Sequence, residues 1–258
     1  MHEKHKTLQM KRILSLLILL VTIVTFAACS KDESNKTTTP GTPGQGGSLA
    51  RFTIAWNYLY IVDDQKLYAY SLANPQAPQL KSTVNLGFDI ETIYSFKDKL
   101  FIGSQNAMYI YSLTNPASPA QLGTASHVRA CDPVVANDSI AYVTVRMGST
   151  CGGNQNALLI YDIKNVLNPI QRNATPLTNP HGLGLKGNRL YVCDGDNGLF
   201  VYDVTNPLYP QYVKQLKGET FYDVIIADDL LVCMIDGGTA LFQLGDEDQI
   251  TLMARITN

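Results

Sequence analysis

Two histidines and two acids are the side chains in this sequence best suited to chemistry. These are His127, His181, Glu91 and Asp132, and a carboxylate held next to an imidazole could form a general base or one metal site. The chain has no His-Glu-x-x-His zinc motif, phosphate-binding loop, Gly-x-Ser-x-Gly elbow or Cys-x-x-Cys pair. We therefore name no catalytic residue, no metal and no cofactor, and an enzyme, a hydrolase or lyase, stays an alternative.

The run Asp194-Gly195-Asp196-Asn197-Gly198 has two acids at the spacing found in calcium loops. It lacks the third acid and the distal glutamate of an EF-hand loop. A tight hairpin turn is the simpler interpretation, because glycine and asparagine favour such turns.

A repeat of about 41 residues must position these side chains. The matching segments of its five copies are LYAYSLANPQAP (67–78), MYIYSLTNPASP (108–119), LLIYDIKNVLNP (158–169), LFVYDVTNPLYP (199–210) and the degenerate ALFQLGD (240–246). The matching aromatic residues are 41, 50, 41 and 40 positions apart, at Tyr70, Tyr111, Tyr161, Tyr202 and Phe242. The longest interval contains an insertion around Cys151.

Each copy lies among three further β-like segments, so one repeat predicts four short strands. That pattern is typical of a β-propeller blade. In LFVYDV both alternating faces are apolar, as expected for a sheet covered on both sides. We predict an all-β fold, a β-propeller of about five four-stranded blades, running from near Leu49 to near Ile256. Blade one should then close the ring by packing face to face on blade five.

The run LYVCDGDNGLFVYDVTNPLYPQYV (190–213) resembles the LVIVD-repeat family of bacterial and archaeal surface proteins. Its features are a strand ending in Asp, a glycine-containing turn, a strand ending in Asp-Val, and Asn-Pro. The resemblance covers about residues 50–258 and implies a propeller outside the cytoplasm, often lipid-anchored, with no single known activity. The chain departs from the pattern in the fifth repeat, which lacks Asn-Pro, and at Ser71 and Ser112, where Asp is usual.

The amino-terminal region predicts export and lipidation. Lys11 and Arg12 precede an apolar run, Ile13–Ala28, that is short for a membrane span but typical of a signal peptide. Phe26-Ala27-Ala28-Cys29 resembles a lipobox, so we expect a signal peptide at 1–28, with Met10 as a possible true start, and acylation, palmitate included, at Cys29.

Residues 29–47 should form a lipidated flexible tether, because they are rich in Thr, Pro and Gly. Ser30-Lys31-Asp32-Glu33 resembles the acidic export signal of Bacteroidetes lipoproteins, although a charged tether would look the same. These features predict a lipid-anchored protein of the outer membrane, exposed at the cell surface. The β-propeller itself should occupy residues 48–258.

The charge argues against a nucleic-acid partner. The whole chain has a net charge of −2; residues 1–28 hold four of its 20 basic and one of its 22 acidic side chains, which leaves 16 and 21 in the mature chain. A net charge of −5 is unlike the basic surface that binds nucleic acid. The expected partners are the membrane, through the anchor, and a glycan, peptide or protein.

We expect a binding face at one end of the propeller, where loops enter the first strand of each blade and turns join the second and third strands. Binding residues concentrate in such loops on a rigid scaffold. The alternative is that these positions are polar only because the central channel holds water. The candidate binding residues are Glu91, His127, Arg129, Asp132, His181, Tyr222 and Asp223. The single tryptophan, Trp56, is expected in an inner strand and in the core.

The cysteines predict one disulfide. Cys131 precedes the first strand of repeat three and Cys151 lies in the insertion of the same repeat, and an oxidising compartment would permit a bond between them. Two unpaired thiols are the alternative. Cys193 and Cys233 occupy matching positions in neighbouring repeats, so we expect buried free thiols too far apart to pair.

Three functions remain open from the sequence. The first is a surface module that binds a glycan, peptide or partner protein. The second is a scaffold within an outer-membrane complex, and the third is a hydrolase or lyase.

Overall fold

The computed structural model describes residues 49–126, 133–147 and 155–257. The predicted signal peptide, Cys29 and the tether lie outside these ranges. So do His127, Arg129 and Asp132 and both cysteines of the predicted disulfide, Cys131 and Cys151. Within the ranges that are described, no helix has the length and apolar character needed to cross a membrane.

Within the described ranges, twenty strands form five separate four-stranded antiparallel sheets, and each sheet uses four consecutive strands in order. The strands are β1 (Phe52–Ala55), β2 (Tyr58–Val62), β3 (Lys66–Ser71), β4 (Gln79–Asn85), β5 (Ile90–Phe96), β6 (Lys99–Ser104), β7 (Ala107–Ser112), β8 (Ala120–Ser126), β9 (Val134–Ala136), β10 (Ile140–Val145), β11 (Ala157–Asp162), β12 (Ile170–Pro176), β13 (Leu183–Lys186), β14 (Arg189–Cys193), β15 (Leu199–Asp203), β16 (Gln211–Leu216), β17 (Phe221–Ala227), β18 (Leu230–Ile235), β19 (Gly238–Leu244) and β20 (Ile250–Thr257). The prediction of an all-β propeller with five four-stranded blades is confirmed.

The repeating aromatic residue marks an irregularity shared by all five blades. The pairing between the third and fourth strands shifts register immediately before it, at Tyr70, Tyr111, Tyr161, Tyr202 and Phe242. Such a bulge bends a strand and increases its twist. The repeat in the sequence is therefore a repeat in sheet geometry.

The core lies between the blades. One cluster of buried side chains joins blades one and two, a second runs through blades two, three and four, and a third joins blades four and five. We call the side of a blade that faces the following blade its forward face, and the opposite side its back face.

The junction between blade five and blade one does not follow this pattern. Phe52 and Ile54 on the back face of blade one are 57% and 42% exposed, and Met234 on the forward face of blade five is 53% exposed. A weak hydrogen bond joins the two ends, from the Leu49 backbone N–H to Asp223 Oδ2 at 3.4 Å. The expectation that blade one packs closely on blade five is therefore wrong for the described chain.

Trp56 also departs from expectation. It lies in the turn between β1 and β2, is 50% exposed, and has a positive φ of 53°. Its indole N–H donates to the Lys97 carbonyl of the next blade at 2.8 Å. Trp56 thus belongs to a surface contact between blades and not to the core.

Candidate functional site

We call the top face the end of the propeller that holds the loops entering each first strand and the turns between second and third strands. The opposite end is the bottom face. In blades one and four, an aspartate directly follows the second strand and organises the neighbouring turns of the top face. Asp63 accepts hydrogen bonds from the backbone N–H groups of Gln65 and Lys66, and Asp194 accepts them from Thr178 and Asn179. These carboxylates hold turns together, because each is occupied by backbone donors.

The run Asp194–Gly198 is a tight turn, as the sequence predicted. The Asp194 backbone N–H donates to the Gly198 carbonyl at 2.9 Å, and Gly195 and Gly198 both have positive φ. Among the described residues, no group of three or more His, Cys, Asp or Glu side chains is arranged to hold a metal ion.

His181 lies on the top face, immediately before β13 of blade four, and its backbone is fixed on both sides. Its N–H donates to the Cys193 carbonyl at 2.8 Å, and its carbonyl accepts from Thr144 Oγ1 at 2.5 Å. The first bond lies within blade four and the second comes from blade three. The position of the imidazole is therefore set by two blades.

Two side chains from neighbouring blades contact the His181 ring. Arg146 Nη1 of blade three lies 3.2 Å from Nδ1 and 3.1 Å from Nε2, and Tyr222 of blade five meets the ring edge-on with centroids 5.2 Å apart. Burial, and then the Arg146 charge, lower the pKa of His181 to about 4, although Asp194 and Asp196 act in the opposite direction. The imidazole is neutral at pH 7, so one nitrogen can donate and the other can accept.

The structure brings some of the predicted residues together. His181 and Tyr222 are in contact, and Asp223 follows Tyr222 in β17. Asp223 is buried rather than open to solvent, with its carboxylate against Gly182, where an added Cβ would lie 2.0 Å from Oδ1. Glu91 is partly exposed in β5 of blade two. The other candidates, His127, Arg129 and Asp132, lie outside the described residues.

Sequence reasoning did not name three residues of this face as binding candidates. Arg146 lies in the turn after β10, one position beyond the equivalent of Asp63 and Asp194, and its positive charge in that turn was an available signal. Phe88 and Met147 are exposed, Phe88 to 72%. Phe88 lies between Gly87 and Asp89, which both have positive φ, and no periodicity in the sequence marks such a loop.

The prediction that Cys193 and Cys233 are buried free thiols is confirmed. The alignment on which that prediction was based is wrong. Arg189 and Leu230 are the first paired residues after the turns that precede β14 and β18. Counted from these residues, Cys193 corresponds to Met234, so the two cysteines do not occupy matching positions. Cys193 is on the forward face of blade four and Cys233 on the back face of blade five, in one buried cluster. Burial raises the pKa of Cys233 to about 12 and that of Cys193 well above its usual value.

Solved structures with this fold come from proteins of different kinds. A protein from Lactobacillus plantarum matches with a TM-score of 0.61 at 11% identity, over 78% of this chain and 68% of that chain. The periplasmic gluconolactonase of Pseudomonas aeruginosa matches with a TM-score of 0.60, with the same identity and coverages. BamB from Moraxella catarrhalis matches with a TM-score of 0.54 at 10% identity, over 74% of this chain and 56% of that chain. These likenesses show the fold alone.

No curated protein matches the sequence. The sequence model of the LVIVD repeat matches residues 181–217, which contain His181 and the four strands of blade four. The chain is thus a five-bladed β-propeller that carries an LVIVD repeat in its fourth blade.

Proposed function

We propose that this chain is a cell-surface lipoprotein whose top face is a binding module for a glycan, a peptide or a partner protein. The observation that supports it is the contact of Arg146, His181 and Tyr222, which three successive blades bring together on the top face. Phe88 adds an exposed aromatic ring to the same face.

The chemistry of this group suits a polar ligand with an apolar side. The guanidinium of Arg146 donates hydrogen bonds, and the neutral imidazole of His181 can donate and accept. Tyr222 and Phe88 offer ring surface, which packs against sugar rings and aromatic or aliphatic side chains. A few convergent polar groups beside aromatic surface are typical of binding sites on rigid scaffolds.

The anchor is part of the same proposal. Acylation at Cys29 would hold the propeller at the outer membrane by its acyl chains, each buried CH₂ contributing about 0.8 kcal/mol. Cys29→Ala should give an unlipidated precursor or a released form. If that variant still sediments with membranes after alkaline washing, the lipoprotein part of the proposal is wrong.

A scaffold in an outer-membrane complex is the second candidate. The bottom face supports it, because Trp56, Leu167 and Tyr209 are exposed in turns there. Exposed apolar groups of this kind often mark protein contacts.

A hydrolase or lyase is the third hypothesis. The likeness to a gluconolactonase is a likeness of fold at 11% identity, so it does not raise this hypothesis above the other two.

Glycan and peptide arrays test the binding module. The propeller, residues 48–258, should bind a restricted set of related glycans or peptides, and an Arg146→Ala/Tyr222→Ala variant should lose at least tenfold in signal. Retained signal in that variant would place the binding elsewhere. Absence of binding to either array would favour the scaffold.

A further inference from the structure

The back face of blade one is built like an interior surface. Phe52, Leu59 and Ile61 occupy the positions of Ile93, Leu100 and Ile102 in blade two. The blade-two residues are all 1% exposed or less, because blade one covers them. Their counterparts in blade one are partly or largely exposed. The difference lies in what covers the face and not in its composition.

The forward face of blade five has the same character. Val232 and Leu241 pair across β18 and β19, with Ile225 beside them, and all three are partly exposed. Met234 and Ile256 extend the apolar surface and are more than half exposed. Blade four covers only the opposite side, through Leu231, Cys233 and Phe242. We call these two uncovered faces, of blade one and blade five, the open seam.

Side-chain contacts that join three of the four pairs of successive blades are not repeated at the open seam within the described residues. Tyr60 of blade one and Tyr142 of blade three donate their hydroxyls to Pro116 and Pro207 of the following blades. Arg189 of blade four instead binds Asp248 of blade five at 2.5 Å. In blade five the position of Tyr60 is taken by Val232, which has no hydroxyl to donate to Pro75 of blade one.

The same contacts oppose closure of the ring on itself. Bringing blade five onto blade one would require the other pairs of blades to open at their outer sides, and the bonds from Tyr60, Tyr142 and Arg189 oppose that opening. Blades two and three are already in backbone contact, since a Cβ on Gly123 would lie 1.8 Å from the Val166 carbonyl oxygen. Close-packed interiors of this kind resist such rearrangement.

We propose that the open seam is an interface with a second copy of this chain. The forward face of blade five in one copy packs on the back face of blade one in the next. Inside the chain, four junctions join a forward face of this repeat to a back face, so the faces that fit the open seam are those of another blade of this protein. The contact is heterologous, because two different surfaces meet.

Disulfide trapping between differently labelled copies tests the interface. Full-length Ile61→Cys and Met234→Cys chains, purified in detergent and mixed under mild oxidation, should form a covalent product of two copies. Their equivalents at the junction of blades four and five, Cys233 and Cys193, lie in one buried cluster. The parent chain, which carries the native cysteines, and a mixture of Leu167→Cys with Tyr209→Cys on the bottom face are the matched controls and should give at least fivefold less. Ile61 is partly exposed and Met234 is more than half exposed, so neither change removes a core side chain.

Sedimentation of the detergent-solubilised full chain provides the second measurement. Wild type should exceed the monomer mass, and Ile54→Glu or Met234→Glu should return it to the monomer. A double Ile61→Cys/Met234→Cys chain that links only within itself would show that the ring closes alone, and would overturn the proposal. A monomeric wild type with no product between copies would overturn it as well.

Discussion

The Tyr60 hydroxyl of blade one donates a hydrogen bond to the Pro116 carbonyl of blade two at 2.8 Å. Tyr142 of blade three repeats the contact with Pro207 of blade four at 3.0 Å. The equivalent residue of blade two is Phe101, and the blade after it has Val166 in place of the proline. In blades two and four, the proline carbonyl of the Asn-Pro motif therefore accepts a hydrogen bond from the preceding blade.

Removing either hydroxyl should weaken the junction between blades. Tyr60→Phe and Tyr142→Phe should each lower the free energy of unfolding by about 1 kcal/mol, because each leaves a carbonyl without its donor. Urea denaturation would show a lower midpoint at an unchanged m-value. The control is Tyr209→Phe, on an exposed ring, and equal midpoints for all three variants would contradict the role given to these hydroxyls.

A methyl group at Gly123 should be costly. The added Cβ would lie 1.8 Å from the Val166 carbonyl oxygen, so blades two and three would have to separate. We expect Gly123→Ala to destabilise the protein by about 1–3 kcal/mol. Gly245→Ala is the matched control, since its nearest neighbour would be 3.4 Å away. A Gly123→Ala midpoint no lower than that of the control would show that the two blades are not in backbone contact.

The His181 imidazole should make folding sensitive to acid. Its pKa is lowered to about 4 by burial and Arg146, against 6.5 in the unfolded chain, so the unfolded state takes up the proton first as pH falls. The contribution is complete above pH 6.5 and is lost between pH 6.5 and 4. We expect a loss of about 1–2 kcal/mol once solvent screening is allowed for. In His181→Asn this part of the pH dependence should vanish, and identical profiles for the two proteins would contradict the assignment.

The thiols of Cys193 and Cys233 should be inert in the folded protein. Both are buried and burial raises both pKa values, whereas alkylation requires an accessible thiolate. Mass spectrometry after treatment with iodoacetamide should find them unmodified in buffer and modified in denaturant. Modification of either cysteine at equal rates in both conditions would show that the junction of blades four and five opens readily.

The repeat in the sequence predicted the blades because residues at matching positions form the same strands, bulges and turns in successive blades. Ser71 and Ser112 departed from the Asp of the pattern, yet their hydroxyls accept from Ala73 and Thr114 as Asp203 accepts from Thr205. A hydroxyl and a carboxylate are interchangeable there, since the turn needs only an acceptor. Local pattern and local chemistry agree, so the fold could be predicted.

The top face could be predicted only in part, because its contacts join blades that are far apart in sequence. Arg146 and His181 are 35 residues apart, and no local pattern pairs them. Phe88 is exposed through the backbone of one loop. The open seam was also missed, since its residues have the same types as buried ones elsewhere, and only the arrangement of the blades leaves them uncovered.

The binding role of the top face is tested most directly by comparing one variant of each face against the same bound ligand. Phe88→Ala/Tyr222→Ala changes the top face, and Trp56→Ala changes an exposed aromatic of the bottom face. The measurement is the dissociation constant for the strongest glycan or peptide found on the arrays, by isothermal titration with the propeller, residues 48–258. We predict at least a tenfold weaker affinity for the top-face variant and an unchanged affinity for Trp56→Ala. The reverse result, with affinity lost only in Trp56→Ala, would contradict the account.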